Sequence, residues 1–141
     1  MKRIVHIFIV LCICMLGLKA EFLPVQRAQA LHEKKLILLS VTKENCPYCI
    51  QMEHDVFEDK QYAQKINQHY VRAEVKKGDA SLPEFLHVKY YPTNIILNPQ
   101  DLKVIDEFIG YTKPDIFIEL LEEVYEQEIT SSSNTGQHNK K

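Results

Sequence analysis

Cys46-Pro47-Tyr48-Cys49 places two thiols two residues apart, a spacing that lets them close a small disulfide ring. The chemistry open to such a pair is thiol–disulfide exchange. The tetrapeptide directly follows an apolar run, residues 36–41, that reads as a buried strand, and directly precedes a segment with helical spacing. A helix start presents unpaired N–H groups, and these favour a thiolate on the first cysteine. Cys46 is therefore expected to be the partly exposed attacking thiol, with a pKa lowered from ~8.5 into the range ~3.5–7.5. Cys49, three residues further into the helix, is expected to resolve the mixed disulfide that Cys46 forms. A purely stabilising role is the weaker reading, because the gain from closing a loop grows with its length and this loop is minimal.

Cys-x-x-Cys is also half of a metal site, so structural zinc competes from another class. No second pair follows after Ala20, and His54, His69 and His87 lack the regular spacing of a zinc module. His54 lies five residues beyond Cys49 and is rotated off that helix face. No metal and no cofactor is expected, and each histidine reads as an ordinary surface residue.

The elements that must position the pair follow from periodicity. Phe22, Val25, Ala28 and Leu31 have loose helical spacing and end in basic residues, which predicts a short first helix. The unalternating run 36–41 predicts a central strand covered on both faces. Pro47 suits a first helical turn, and Cys49, Met52 and Val56 form one inward face. With Asp59 capping a continuation, the expected helix runs over 46–69, long or kinked. Alternation over 70–75 predicts a second strand, 81–88 a short helix, and 94–98 with 103–109 a β-hairpin. Thr112, Pro114 and Asp115 form a helix-start signal, with Phe117, Leu120, Leu121 and Val124 as the buried face of a last helix. Residues 130–141 have almost no apolar content and are expected to be a disordered tail. Acidic residues along the last helix, Glu119 to Glu128, read as its wet face.

The chain has 141 residues and 45% apolar content, enough for one domain with one core, expected over residues 21–129. Residues 1–20 read as a secretory signal peptide: Met1-Lys2-Arg3, an apolar stretch to Leu18, and a cut after Ala20. Leu18 fits the −3 position imperfectly, so an uncleaved membrane anchor is the alternative, although the run is short for a span of ~20 residues. Export places the domain in the periplasm or an equivalent compartment, where Cys46 and Cys49 are the remaining cysteines and can persist as a disulfide. Cleavage leaves 14 basic residues against 19 acidic ones. Such a domain is a poor nucleic-acid binder.

The order of strand, Cys-x-x-Cys at a helix start, crossover strand, Pro-Thr, hairpin and last helix resembles the thioredoxin-like family over residues 30–128. The resemblance is closest to exported members in which the pair leads into a Met-Glu-x-x-Val-Phe-x-Asp segment, here Met52-Glu53-His54-Asp55-Val56-Phe57-Glu58-Asp59. It implies an α/β three-layer fold, a central mixed sheet of about four strands flanked by helices. It also implies a cis-proline at Pro92, in Tyr91-Pro92-Thr93, facing the cysteines and shaping a backbone edge for an extended substrate segment. Tyr48, Tyr91, Pro92 and Thr93 are the implied substrate-binding residues. The implied activity is disulfide exchange with partner proteins, leaning towards a reductase or isomerase-like role fed by a membrane-bound redox donor. A monomer is expected. The alternative is a redox-linked binding or chaperone module with little turnover. The chain departs from the family's pattern in two places: Ser40 stands where many thioredoxins carry a buried acid, and Asn45 where they carry Trp. The proton acceptor for Cys49 is then water or another group, with Glu74 as one candidate.

Overall fold

Residues 36–41 lack alternation because the strand they open, β1 (Leu36–Thr42), is covered on both faces. The computed structural model describes residues 21–135, so the expected signal peptide lies outside the described residues. β1 pairs in parallel with β2 (Tyr70–Lys76) and antiparallel with β3 (Thr93–Leu97). β3 in turn pairs antiparallel with β4 (Val104–Ile109), giving a mixed four-stranded sheet in the order β2-β1-β3-β4. Four helices flank it: α1 (Pro24–Glu33), α2 (Pro47–Met52), α3 (Lys60–His69) and α4 (Pro114–Thr135).

Strand alternation splits the core into two layers. Ile37, Leu39 and Val41 of β1 join Val71, Ala73, Val75, Ile95 and Leu97 beneath α1, with Leu82 and Leu86 closing the same side. Leu36, Leu38, Ile96 and Tyr70 face the other way, against Met52 of α2, Ile66 of α3, and Phe117, Ile118, Leu121 and Val124 of α4. The result is the expected three-layer α/β arrangement. Tyr70 anchors the second layer, its hydroxyl donating to the Leu121 carbonyl oxygen at 2.5 Å. Burial pushes that hydroxyl's pKa well above the ordinary tyrosine value and keeps it protonated.

Four sequence expectations need revision. The helix expected over 46–69 is broken: α2 passes into a π-helical turn, Glu53–Phe57, and α3 restarts after Asp59. Asp59 is the reason for the restart, since its carboxylate accepts the N–H groups of Gln61 and Tyr62 at 2.9 and 3.2 Å. The helix expected over 81–88 is only a 3₁₀ turn, Glu84–Leu86, as extended Pro83 stands immediately before it. Thr112 does not begin the last helix, which opens at Pro114, and Asp115 instead accepts the Tyr62 hydroxyl at 2.8 Å. That helix then runs past the expected boundary at Ile129 to Thr135. There the Thr130 and Ser131 hydroxyls donate back to the carbonyls of Glu126 and Gln127, one turn earlier in the same helix.

Candidate active site

The turn from β1 into α2 holds the two cysteines. Asn45 has φ 53°, in the left-handed region that Asn tolerates better than most residues, and it redirects the chain from the strand end into the helix. Cys46 is the N-cap, with Pro47 at the first helical position. Cys46 and Cys49 are joined as a disulfide with their Cα atoms 5.2 Å apart. The Cys49 N–H donates to Cys46 Sγ at 3.2 Å, so the first sulfur receives a helix-start donor and the second does not share it. Cys49, Met52 and Val56 are all buried, as their spacing predicts.

Cys46 is not the more exposed sulfur residue. It is 3% exposed and Cys49 8%, because the loop carrying Tyr91 leans over the first sulfur, with the Tyr91 carbonyl oxygen 3.8 Å from Cys46 Sγ. Hydrogen bonding, rather than exposure, distinguishes the two. The Tyr91–Pro92 peptide bond is cis and Pro92 is buried. Its carbonyl accepts the Gly110 N–H at 2.8 Å, and Gly110 has φ 86°, which favours glycine at that bracing point. Tyr48 is 62% exposed beside the disulfide. Tyr91 is half-buried, its hydroxyl donating to the Val88 carbonyl, with Lys43 Nζ 5.7 Å from its ring centroid. Thr93 is buried and turns its hydroxyl back to the Tyr90 carbonyl at 2.9 Å, so its side chain braces the loop.

A cleft of ≈ 410 Å³ opens beside the disulfide between the β1–α2 loop and β2. Its walls include Cys46, Cys49, Ile50 and five charged side chains: Lys43, Glu44, Glu53, Glu74 and Lys76. Sequence reasoning reached Glu74 but missed Glu53, four residues after Cys49 on the same helical side. Arg72 grips Glu53 through both guanidinium nitrogens, one contact being 3.0 Å, and stands 3.6 Å from Glu74. Its guanidinium also packs over Phe57, 3.9 Å from the ring centroid. Thr42 donates to Glu74 at 3.0 Å. A recess of ≈ 450 Å³ at the other end of the sheet, between Leu31, Pro99 and Tyr125, holds neither cysteine, so chemistry rather than size selects the site.

The π-helical turn is pinned from outside. Asp55 accepts the Tyr111 hydroxyl at 2.8 Å and lies 2.9 Å from His54 Nδ1, which ties the turn to the segment before α4. The bonds from His54 and Tyr111 hold the Asp55 carboxyl below its usual pKa, and Asp55 raises that of His54. His69 stacks on Tyr125 at 3.9 Å, and His87 reaches the Leu82 carbonyl at 3.2 Å. Among the described residues no three His, Cys, Asp or Glu side chains gather as a metal site.

Solved structures with this fold include a thioredoxin from Thermus thermophilus, with 22% identity, TM-score 0.58, and coverage of 83% of this chain and 92% of that one. The periplasmic thioredoxin SoxS from Paracoccus pantotrophus matches at 19% identity and TM-score 0.55, covering 67% and 99%. The C-terminal domain of DsbD from Neisseria meningitidis, in its oxidised form, matches at 20% identity and TM-score 0.51, covering 70% and 87%. At these identities the likeness is one of fold. No curated protein matches the sequence. Residues 23–125 match the family model described as a thioredoxin-like domain, and the chain therefore belongs to the thioredoxin-like family.

Proposed function

We propose that this protein is a thiol–disulfide oxidoreductase of the cell envelope that exchanges disulfides with partner proteins through Cys46 and Cys49. One observation carries the reading: the pair straddles a helix start, with Cys46 Sγ accepting the Cys49 N–H at the edge of an open cleft. In the reducing direction the Cys46 thiolate attacks a partner disulfide, and one partner sulfur leaves as a thiolate. Cys49 then loses its proton to water in the cleft and attacks Cys46 Sγ. The second partner sulfur leaves, the Cys46–Cys49 bond closes, and two electrons have passed to the partner. Tyr48, Tyr91 and the backbone around Pro92 and Thr93 are the surface on which an extended partner segment lies.

The reductase or isomerase-like direction is supported by the charge around the cleft. Lys43 and Lys76 are matched against Glu44, Glu53 and Glu74, with Arg72 held by Glu53, so no excess of positive charge stabilises the thiolate. Each turnover oxidises the pair, which calls for a dithiol donor, proposed to be membrane-bound. The protein works as an exported monomer. A peptide reporter carrying a mixed disulfide, supplied in excess with a dithiol donor, tests the proposal. The expected result is multiple turnovers by the native protein and none by Cys46→Ala, whereas saturable complexes without turnover would support a binding or chaperone module.

A further inference from the structure

Ser40 of β1 and Asn94 of β3 are buried polar side chains, 1% and 0% exposed. The Ser40 hydroxyl donates to Asn94 Oδ1 at 2.7 Å, and Asn94 Nδ2 has no partner. A fully buried amide donor left unpaired is costly. Its place in the fold shows what it faces. Leu38 and Ile96 are register partners, and both pack with Met52 of α2. Ser40 and Asn94 are the next register pair on the same face, one layer towards the end of β1. Cys49 stands one helical turn before Met52, displaced in the same direction, towards the helix start. The register therefore puts the polar pair on the sheet face that α2 covers, at the end of β1 nearest Cys49.

We infer that the Asn94 side-chain amide is a hydrogen-bond donor reserved for the Cys49 sulfur once the disulfide is open. The inference rests on the exchange activity proposed above. With Oδ1 held by Ser40, what the amide still offers is its unpartnered N–H donors. It favours the Cys49 thiolate and disfavours the thiol, the reverse of what a buried carboxylate at this place would do. When Cys49 gives its proton to cleft water and attacks Cys46 Sγ, the donor stabilises the charge that appears on its sulfur. The charged groups facing Cys49 across the cleft are Glu53, from the turn after α2, Glu74 and Lys76 from β2, and Lys43 and Glu44 from the loop. β3, β4 and α4 add no charged group to the cleft walls.

The test uses the full chain in a Cys46→Ser background, which leaves Cys49 as the one thiol of the pair. The pH profile of alkylation at Cys49, read by peptide mass, gives its pKa without any partner. A hydrogen bond to a charged group corresponds to about one to two pKa units, or roughly 10–100-fold in thiolate population below the pKa. Asn94→Leu should raise the Cys49 pKa by that amount, and Asn94→Asp should raise it further. Ser40→Ala, which releases the amide to rotate, should shift it less. With both cysteines present, Asn94→Leu should slow resolution of the mixed disulfide while leaving attack by Cys46 unchanged. Thermal melting establishes that the variants fold, and near-isosteric Asn94→Asp carries the test if Asn94→Leu does not. An unchanged or lowered Cys49 pKa in a folded variant would overturn the inference. Failure of the native protein to exchange disulfides would instead overturn the activity it rests on, independently of the alkylation profile.

Discussion

The oxidised protein should be more stable than the reduced one at neutral pH, and the gap should narrow as pH rises. The bridge joins residues three apart, so it closes a loop of only four residues. Chain-entropy loss in the unfolded state then corresponds to about 2 kcal/mol in favour of the oxidised form. Against this stands the Cys46 thiolate of the reduced protein, at the helix start where the oxidised Cys46 sulfur accepts the Cys49 N–H. A thiol whose folded pKa lies below its unfolded ~8.5 stabilises the reduced fold above that unfolded value, and the gain is lost as pH falls through the folded pKa. For a folded value of ~7, the offset is roughly 0.4 kcal/mol at pH 7 and approaches ~2 kcal/mol above pH 8.5. A folded value near ~3.5 would give nearly 5 kcal/mol at pH 7, which reverses the sign and makes the protein an oxidant. Urea denaturation followed by circular dichroism, with and without dithiothreitol at pH 5, 7 and 9, measures the gap. The expected values are about 2, about 1.5 and near 0 kcal/mol. A reduced protein more stable than the oxidised one at pH 7 would refute the reductase direction.

Three further outcomes are expected. Asn45→Gly should retain stability and exchange, whereas Asn45→Val, forcing a β-branched residue to φ 53°, should cost at least ~1–2 kcal/mol and disturb the placement of Cys46; melting curves and alkylation rates check both. Tyr70→Phe removes the buried bond to the Leu121 carbonyl and should cost ~1 kcal/mol in denaturant titrations, with alkaline unfolding moved to higher pH because no buried phenol then ionises. The Asp55–His54 contact acts in a window. Asp55's depressed folded pKa gives a contribution that is lost as pH falls through it, and His54's raised value gives one that is lost as pH rises through it. Asp55→Asn should therefore lower the melting temperature most between about pH 4 and 6.5, and an equal effect at pH 9 would contradict the pairing.

The parts of the site set by local periodicity were legible in the sequence. Unalternating residues 36–41 marked the central strand, Pro47 marked the helix start, and Cys49, Met52 and Val56 marked its buried face, because burial repeats with the period of the element. Asp59 was legible as a cap because its side chain acts on N–H groups two and three residues away. The π-helical turn was not, since Asp55 is held there by Tyr111, 56 residues distant in sequence. The burial of Cys46 depends on the Tyr91 loop, 45 residues away, and so cannot be read from the tetrapeptide. Ser40 was marked only as a departure from the family's buried acid, and its partner Asn94 emerged only from the antiparallel register of β1 with β3. The clamp of Arg72 on Glu53 likewise joins β2 to the end of α2 through tertiary packing.

The most direct measurement of the central claim is covalent trapping in exported protein carrying single cysteine substitutions. In the proposed mechanism Cys46, whose sulfur accepts the helix-start N–H, forms the mixed disulfide, and Cys49 releases the partner. Non-reducing gels of Cys49→Ser should show partner adducts that disappear with reductant, while Cys46→Ser shows none. Equal trapping by both variants, or by neither with partner present, would contradict the assigned roles.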